Sequence, residues 1–104
     1  MKGNMEYLKK YDFTEEQIID LKSTYNKGII DFIASNPDII EEKLQYLRKE
    51  NFALLYDILY NNVKIFLESI YVLKEKVNKM KEQKLSQKVM NMILIEEELY
   101  DKIN

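Results

Sequence analysis

Asn36-Pro37-Asp38-Ile39-Ile40-Glu41-Glu42-Lys43-Leu44-Gln45-Tyr46-Leu47-Arg48 reads as one complete amphipathic helix, and it constrains the fold more than any other stretch. Asn36 is placed to cap it, and Pro37 suits the first helical position, where a fixed φ helps and a missing N–H costs nothing. Asp38 and Glu41 lie near the positive end of the helix, Arg48 and Lys49 near the negative end. Ile40, Leu44 and Leu47 recur at i, i+4 and i+7, with Ile39 and Tyr46 widening the face. Such a stripe must be buried against another element, so the rest of the chain has to supply one.

A shift of 26 residues lays Asp31–Glu50 over Asp57–Lys76 with five identities in twenty: Asp31/Asp57, Asn36/Asn62, Ile39/Ile65, Glu42/Glu68 and Leu47/Leu73. Phe32/Ile58, Ile33/Leu59, Ile40/Phe66, Leu44/Ile70 and Arg48/Lys74 keep their character. A spacing in this range is that of stacked helical units, each unable to bury its apolar face alone. A fainter upstream echo pairs Asp12, Glu15, Glu16 and Leu21 with Asp38, Glu41, Glu42 and Leu47.

The remaining helices follow from period and punctuation. Met5 to Tyr11 forms a short first helix. Thr14 with Gln17 is a capping box opening a helix over 15–25, which Asn26-Lys27-Gly28 ends. Ile29, Ile30, Phe32 and Ile33 make a dense segment before Asn36-Pro37. Phe52 to Tyr60 resumes the pattern. Val63, Phe66, Ile70, Leu73, Val77 and Met80 then alternate by three and four, a heptad seam that predicts one helix over 63–83. After a turn at Gln83–Ser86, a last helix over 87–102 completes an antiparallel hairpin. The expectation is a single all-α domain over 1–104 of five or six helices: repeat-like helices over 12–62, then the hairpin over 63–104.

Composition mainly excludes. The chain has no histidine and no cysteine, which removes the imidazole base, the Ser-His-Asp triad, thiolate chemistry and the commonest metal ligands. With two glycines there is no phosphate-binding loop. The carboxylate pairs Glu15/Glu16 and Glu41/Glu42, and the run Glu96-Glu97-Glu98, read as solvated faces. No enzyme, cofactor or metal is expected. No apolar run is long enough to span a bilayer and no signal peptide is visible, so a cytoplasmic protein away from membranes is expected.

Net charge is −2, against a dedicated nucleic-acid binder, yet Lys74–Lys88 carries a local excess of four positive charges. Lys74, Lys81, Lys84 and Lys88 are therefore the candidate basic patch. Arg48 is the only arginine, which disfavours bidentate phosphate or base recognition. The helices over 15–25 and 28–35 have the order of a helix-turn-helix reader, but the second offers apolar residues where base edges need polar ones. Eight tyrosines, among them Tyr46, Tyr56, Tyr60 and Tyr71, read as semi-buried packing. The last helix is apolar on more than one face: with Val89, Ile93 and Tyr100 on the hairpin seam, Met92, Ile95 and Leu99 point elsewhere and form the candidate interface.

Phe13-Thr14-Glu15-Glu16-Gln17-Ile18-Ile19-Asp20-Leu21, Ile33-Ala34-Ser35-Asn36-Pro37-Asp38-Ile39-Ile40 and Lys43-Leu44-Gln45-Tyr46-Leu47 together resemble repeats of the mitochondrial transcription termination factor family. The likeness covers residues 12–80. It implies helical units stacked into a curved solenoid that binds nucleic acid. Val63 stands where Pro37 stood in the first copy, and no basic concave face is evident, so only the stacking is carried over. The function expected is a non-enzymatic interaction module that binds a protein partner or a second copy of itself. A nucleic-acid-binding solenoid is the alternative, and a small acidic immunity or antitoxin-like inhibitor the third reading.

Overall fold

A computed structural model describes residues 4–97. Among them the chain is helical throughout: a leading 3-10 helix Glu6–Tyr11, then α1 Glu15–Thr24, α2 Lys27–Ser35, α3 Pro37–Lys49, α4 Leu55–Asn61, α5 Lys64–Leu67, α6 Ile70–Glu82 and α7 Gln87–Ile95. Eight segments stand where five or six helices were expected.

Several boundaries are those the sequence dictates. Thr14 and Gln17 make the reciprocal capping box of α1. Asn26 accepts from the Ile29 N–H to open α2, and Ser86 from the Val89 N–H to open α7. Asn36 departs from expectation. It sits between α2 and α3, but its side chain donates to the Phe32 carbonyl at 2.9 Å and closes α2 instead of capping α3.

The helix predicted over 63–83 is two helices. Glu68 is extended, and Ser69 caps α6 by accepting from the Tyr71 N–H at 3.2 Å. Of the heptad seam, Phe66, Leu73, Val77 and Met80 are buried, while Ile70 at the break is only partly covered; the period did not reveal the break because it reports which side chains face inward and not whether the backbone between them is continuous. The last helix closes at Ile95, with Glu96 extended; the remainder of the 87–102 helix falls largely outside the described residues.

α3 is the hub, packed against α2, α4, α5 and α6. Its inward Ile40, Leu44 and Leu47 are fully buried. α6 runs parallel to it: Lys74 lies over the Tyr46 ring at 5.6 Å, and further along both helices Lys81 pairs with Glu50 at 2.7 Å. α4 has α1 on one side, through Phe13 on Tyr56 and Tyr25 on Tyr60. On its other side lies α7, tied by two buried asparagines: Asn91 accepts from the Leu54 N–H, and Asn62 donates to the Leu94 carbonyl at 2.8 Å. The chief neighbour of α7 is thus α4, whereas the hairpin reading gave it α6. The result is two layers, one of the leading helix, α3 and α6, the other of α1, α4 and α7, in a body of 44 × 22 × 22 Å.

Each passage from the first layer to the second uses the same turn. Asp12, Asn51 and Lys84 are left-handed, with φ of 68°, 70° and 58°, and no other described non-glycine residue has a positive φ. Past each, Phe13, Phe52 and Leu85 donate their N–H to the carbonyls of Leu8, Leu47 and Met80, while Asp12, Asn51 and Lys84 donate to Lys9, Arg48 and Lys81. These are three Schellman closures, each with its apolar pair five residues apart.

Candidate functional site

Much of the exposed apolar surface gathers at one place. Where α3 meets the α5–α6 break, Phe32, Ile39, Lys43, Leu67, Ile70 and Tyr71 line a groove of about 450 Å³, rimmed by Glu42, Glu68 and Ser69. Ile39 is 40% exposed, Leu67 37% and Tyr71 75%. The break creates this arrangement: with Glu68 extended and Ser69 restarting the helix, Leu67 ends one helix and Tyr71 begins the next, on either side of the gap. Beyond Tyr71, the Lys74 ammonium stands 6.0 Å from its ring and 5.6 Å from that of Tyr46, so the groove continues into an aromatic–cation–aromatic flank.

Lys43 is the unusual member. It lies on the inward stripe between Ile40 and Leu44 and is only 1% exposed. Its ammonium has one hydrogen bond, to the Ile39 carbonyl at 3.4 Å. Burial holds its pKa below the ordinary lysine value, opposed in part by the nearby Glu42 carboxylate.

The four lysines of the predicted basic patch have separate duties. Lys74 stacks on tyrosines, Lys81 is paired with Glu50, and Lys84 occupies a left-handed turn position. Lys88 is exposed on the first turn of α7. Lys79 pairs with Glu75 inside the stretch, and Lys76 with Glu97, which together with Lys81–Glu50 sets two outside carboxylates against the local positive excess. Of the predicted interface, Met92 is 47% exposed, Ile95 is half-buried against the core, and Leu99 lies outside the described residues.

No family model, curated protein or solved structure matches the chain. The site's chemistry is therefore read from its residues alone.

Among the described residues no group of three or more acidic side chains could hold a metal ion. Several carboxylates are engaged structurally. Glu41 accepts from the Tyr11 hydroxyl at 2.7 Å and pairs with Lys10 at 3.0 Å, which together hold its pKa below the usual carboxylate value. Glu15 is held down likewise by Lys9, and Glu97 by Lys76. Tyr7, donating to the Ile33 carbonyl at 2.7 Å, has its pKa raised by burial first and by Glu41 second. No described helix is long and apolar enough to cross a membrane.

Sequence reasoning missed the groove because its parts looked ordinary. Ile39 read as a widening of the α3 stripe and Tyr71 as semi-buried, while Lys43 belonged to a charged helix. The available signal was the Glu68-Ser69 pair, an extended residue followed by a good cap, inside an otherwise continuous seam.

Proposed function

We propose that this chain is a non-enzymatic, repeat-like helical module that docks a protein partner in the groove between α3 and the α5–α6 break. One observation carries the reading: Ile39, Leu67 and Tyr71, half of the six large apolar side chains that stand exposed among the described residues, line a single groove. Scattered exposed apolar residues need no explanation, but a contiguous patch of them is the usual mark of an interaction surface. The repeat reading is supported by the three Schellman closures, each following a helix of the first layer. Their spacings of 39 and 33 residues differ from the 26 of the sequence echo. That echo retains one local counterpart: Asn36 and Asn62 share nearly the same backbone, φ −128°, ψ 58° and φ −139°, ψ 54°.

Nucleic-acid binding is the second reading, favoured by exposed Tyr71 beside Lys74, since aromatic faces flanked by cations stack on unpaired bases. The pairing of Lys76, Lys79 and Lys81 with carboxylates weighs against it.

The test is quantitative affinity purification from the native cell with wild type, Leu67→Asp and Ile19→Asp. Ile19 is exposed on α1, away from the groove lining. Partners that survive Ile19→Asp and disappear with Leu67→Asp support the groove; partners lost equally with both, or with neither, count against it. Retention of nucleic acid in a salt-dependent manner that Tyr71→Ala removes would favour the second reading.

A further inference from the structure

We infer that the groove accepts an amphipathic segment of a partner protein that brings one carboxylate down onto Lys43. This deepens the docking reading above and rests on it.

A buried ammonium with no counter-ion is costly, because the protein interior replaces its hydration poorly. Lys9, Lys10, Lys76, Lys79 and Lys81 each have a carboxylate within ion-pair distance; Lys43 has none among the described residues. Its contact with Ile39 is long for a charge-assisted bond, which is ordinarily about 2.7–2.9 Å. The cation is therefore largely covered by its own fold, with Glu42 acting on it only from beyond ion-pair distance, and it lies in the lining of a groove that carries three exposed apolar side chains.

The chemistry selects the occupant. A further backbone carbonyl would repeat the partner that Lys43 already has, whereas a carboxylate supplies the missing full charge. Phe32, Ile39, Leu67 and Tyr71 call for apolar side chains on either side of it. Glu42 and Glu68 stand on the rim, Glu42 exposed and Glu68 partly so. They disfavour a multiply charged phosphate and favour basic residues flanking the single acid. Lys74, beyond Tyr71, is taken up by the two tyrosine rings.

The probe is a displayed library of random linear peptides, selected on the immobilised full chain and measured afterwards as synthetic peptides. Lys43→Met keeps the stem and removes the charge; Leu67→Asp, at an exposed position, spoils the apolar wall, and circular dichroism verifies that both fold. The expected peptides have spaced apolar residues and one Asp or Glu. Replacing that acid by its amide weakens binding to wild type roughly tenfold or more and leaves binding to Lys43→Met unchanged. Peptides that Leu67→Asp abolishes but that lack an acid, or tolerate the amide, would overturn the Lys43 pairing and leave the groove standing. No enriched peptide, or binding indifferent to Leu67→Asp, would overturn both.

Discussion

The N–H of Phe52 donates to the carbonyl of Leu47 at 2.9 Å, and the residue between the helix and that bond, Asn51, is held at a φ of 70°. The same closure recurs at Leu8–Phe13 and Met80–Leu85, so three left-handed residues set the passages from the first layer to the second. None is glycine. The left-handed region is unfavourable to residues with a Cβ and least so to Asn and Asp, whose short polar side chains bond locally. Lys84→Gly is therefore predicted to stabilise the protein by about 1 kcal/mol, and Asn51→Gly by less. Urea unfolding of the two variants gives the order directly; Lys84→Gly failing to exceed Asn51→Gly would show that the strain is relieved elsewhere.

Lys43→Met should stabilise the free protein at neutral pH by about 1 kcal/mol or more, because the methionine fills the same space with nothing to desolvate. The sign follows from linkage. Burial lowers the folded pKa of Lys43, so the unfolded chain holds the proton more tightly, and the cost is fully present below the folded value. It fades as pH rises towards the unfolded value. A loss of stability in Lys43→Met at neutral pH would mean that the ammonium has a compensating role in the free chain.

Glu41 governs the acid side. Its folded pKa is lowered by the Tyr11 hydroxyl and then by Lys10, so the stabilisation it supplies is present above the unfolded carboxylate pKa, and it is lost as pH falls through the folded value. In Glu41→Gln, the fall in thermal midpoint below about pH 4.5 should be shallower than in wild type, and the neutral midpoint lower. Parallel melting curves across that range would remove Glu41 from the explanation.

On α7, Met92 and Ile95 should separate cleanly. Met92 is exposed, so Met92→Asp should change stability by no more than about 0.5 kcal/mol. Ile95 packs against the core, and Ile95→Asp should cost roughly 2 kcal/mol or more. Comparable chemical-denaturation midpoints for the two would place Ile95 on the surface with Met92.

The sequence was most informative where a side chain performs a local task. Thr14 and Ser86 are read as boundaries because their oxygens replace missing backbone partners, and each does so in the fold, whereas Asn26, read as ending the helix before it, caps the one after it. α3 emerged as the organising helix because its stripe had to be covered, and four helices cover it. Other features arise only in three dimensions. The passages from the first layer to the second carry Asp, Asn and Lys in place of glycine, which leaves little to read. The break at Glu68–Ser69 hides inside an unbroken apolar period. Lys43 is buried by helices distant in sequence, and nothing in Glu42-Lys43-Leu44 distinguishes it from a solvated lysine. The groove depends on these last two features together, so it could not be assembled from the chain alone.

The docking claim is tested most directly by placing a photo-crosslinking residue at Tyr71 in the native cell, with the same residue at exposed Lys22 on α1 as the comparison. The groove predicts a discrete protein adduct at Tyr71 that is absent at Lys22 and is abolished by Ile39→Asp or Leu67→Asp. The same diffuse adducts at both positions, unchanged by those substitutions, would contradict it.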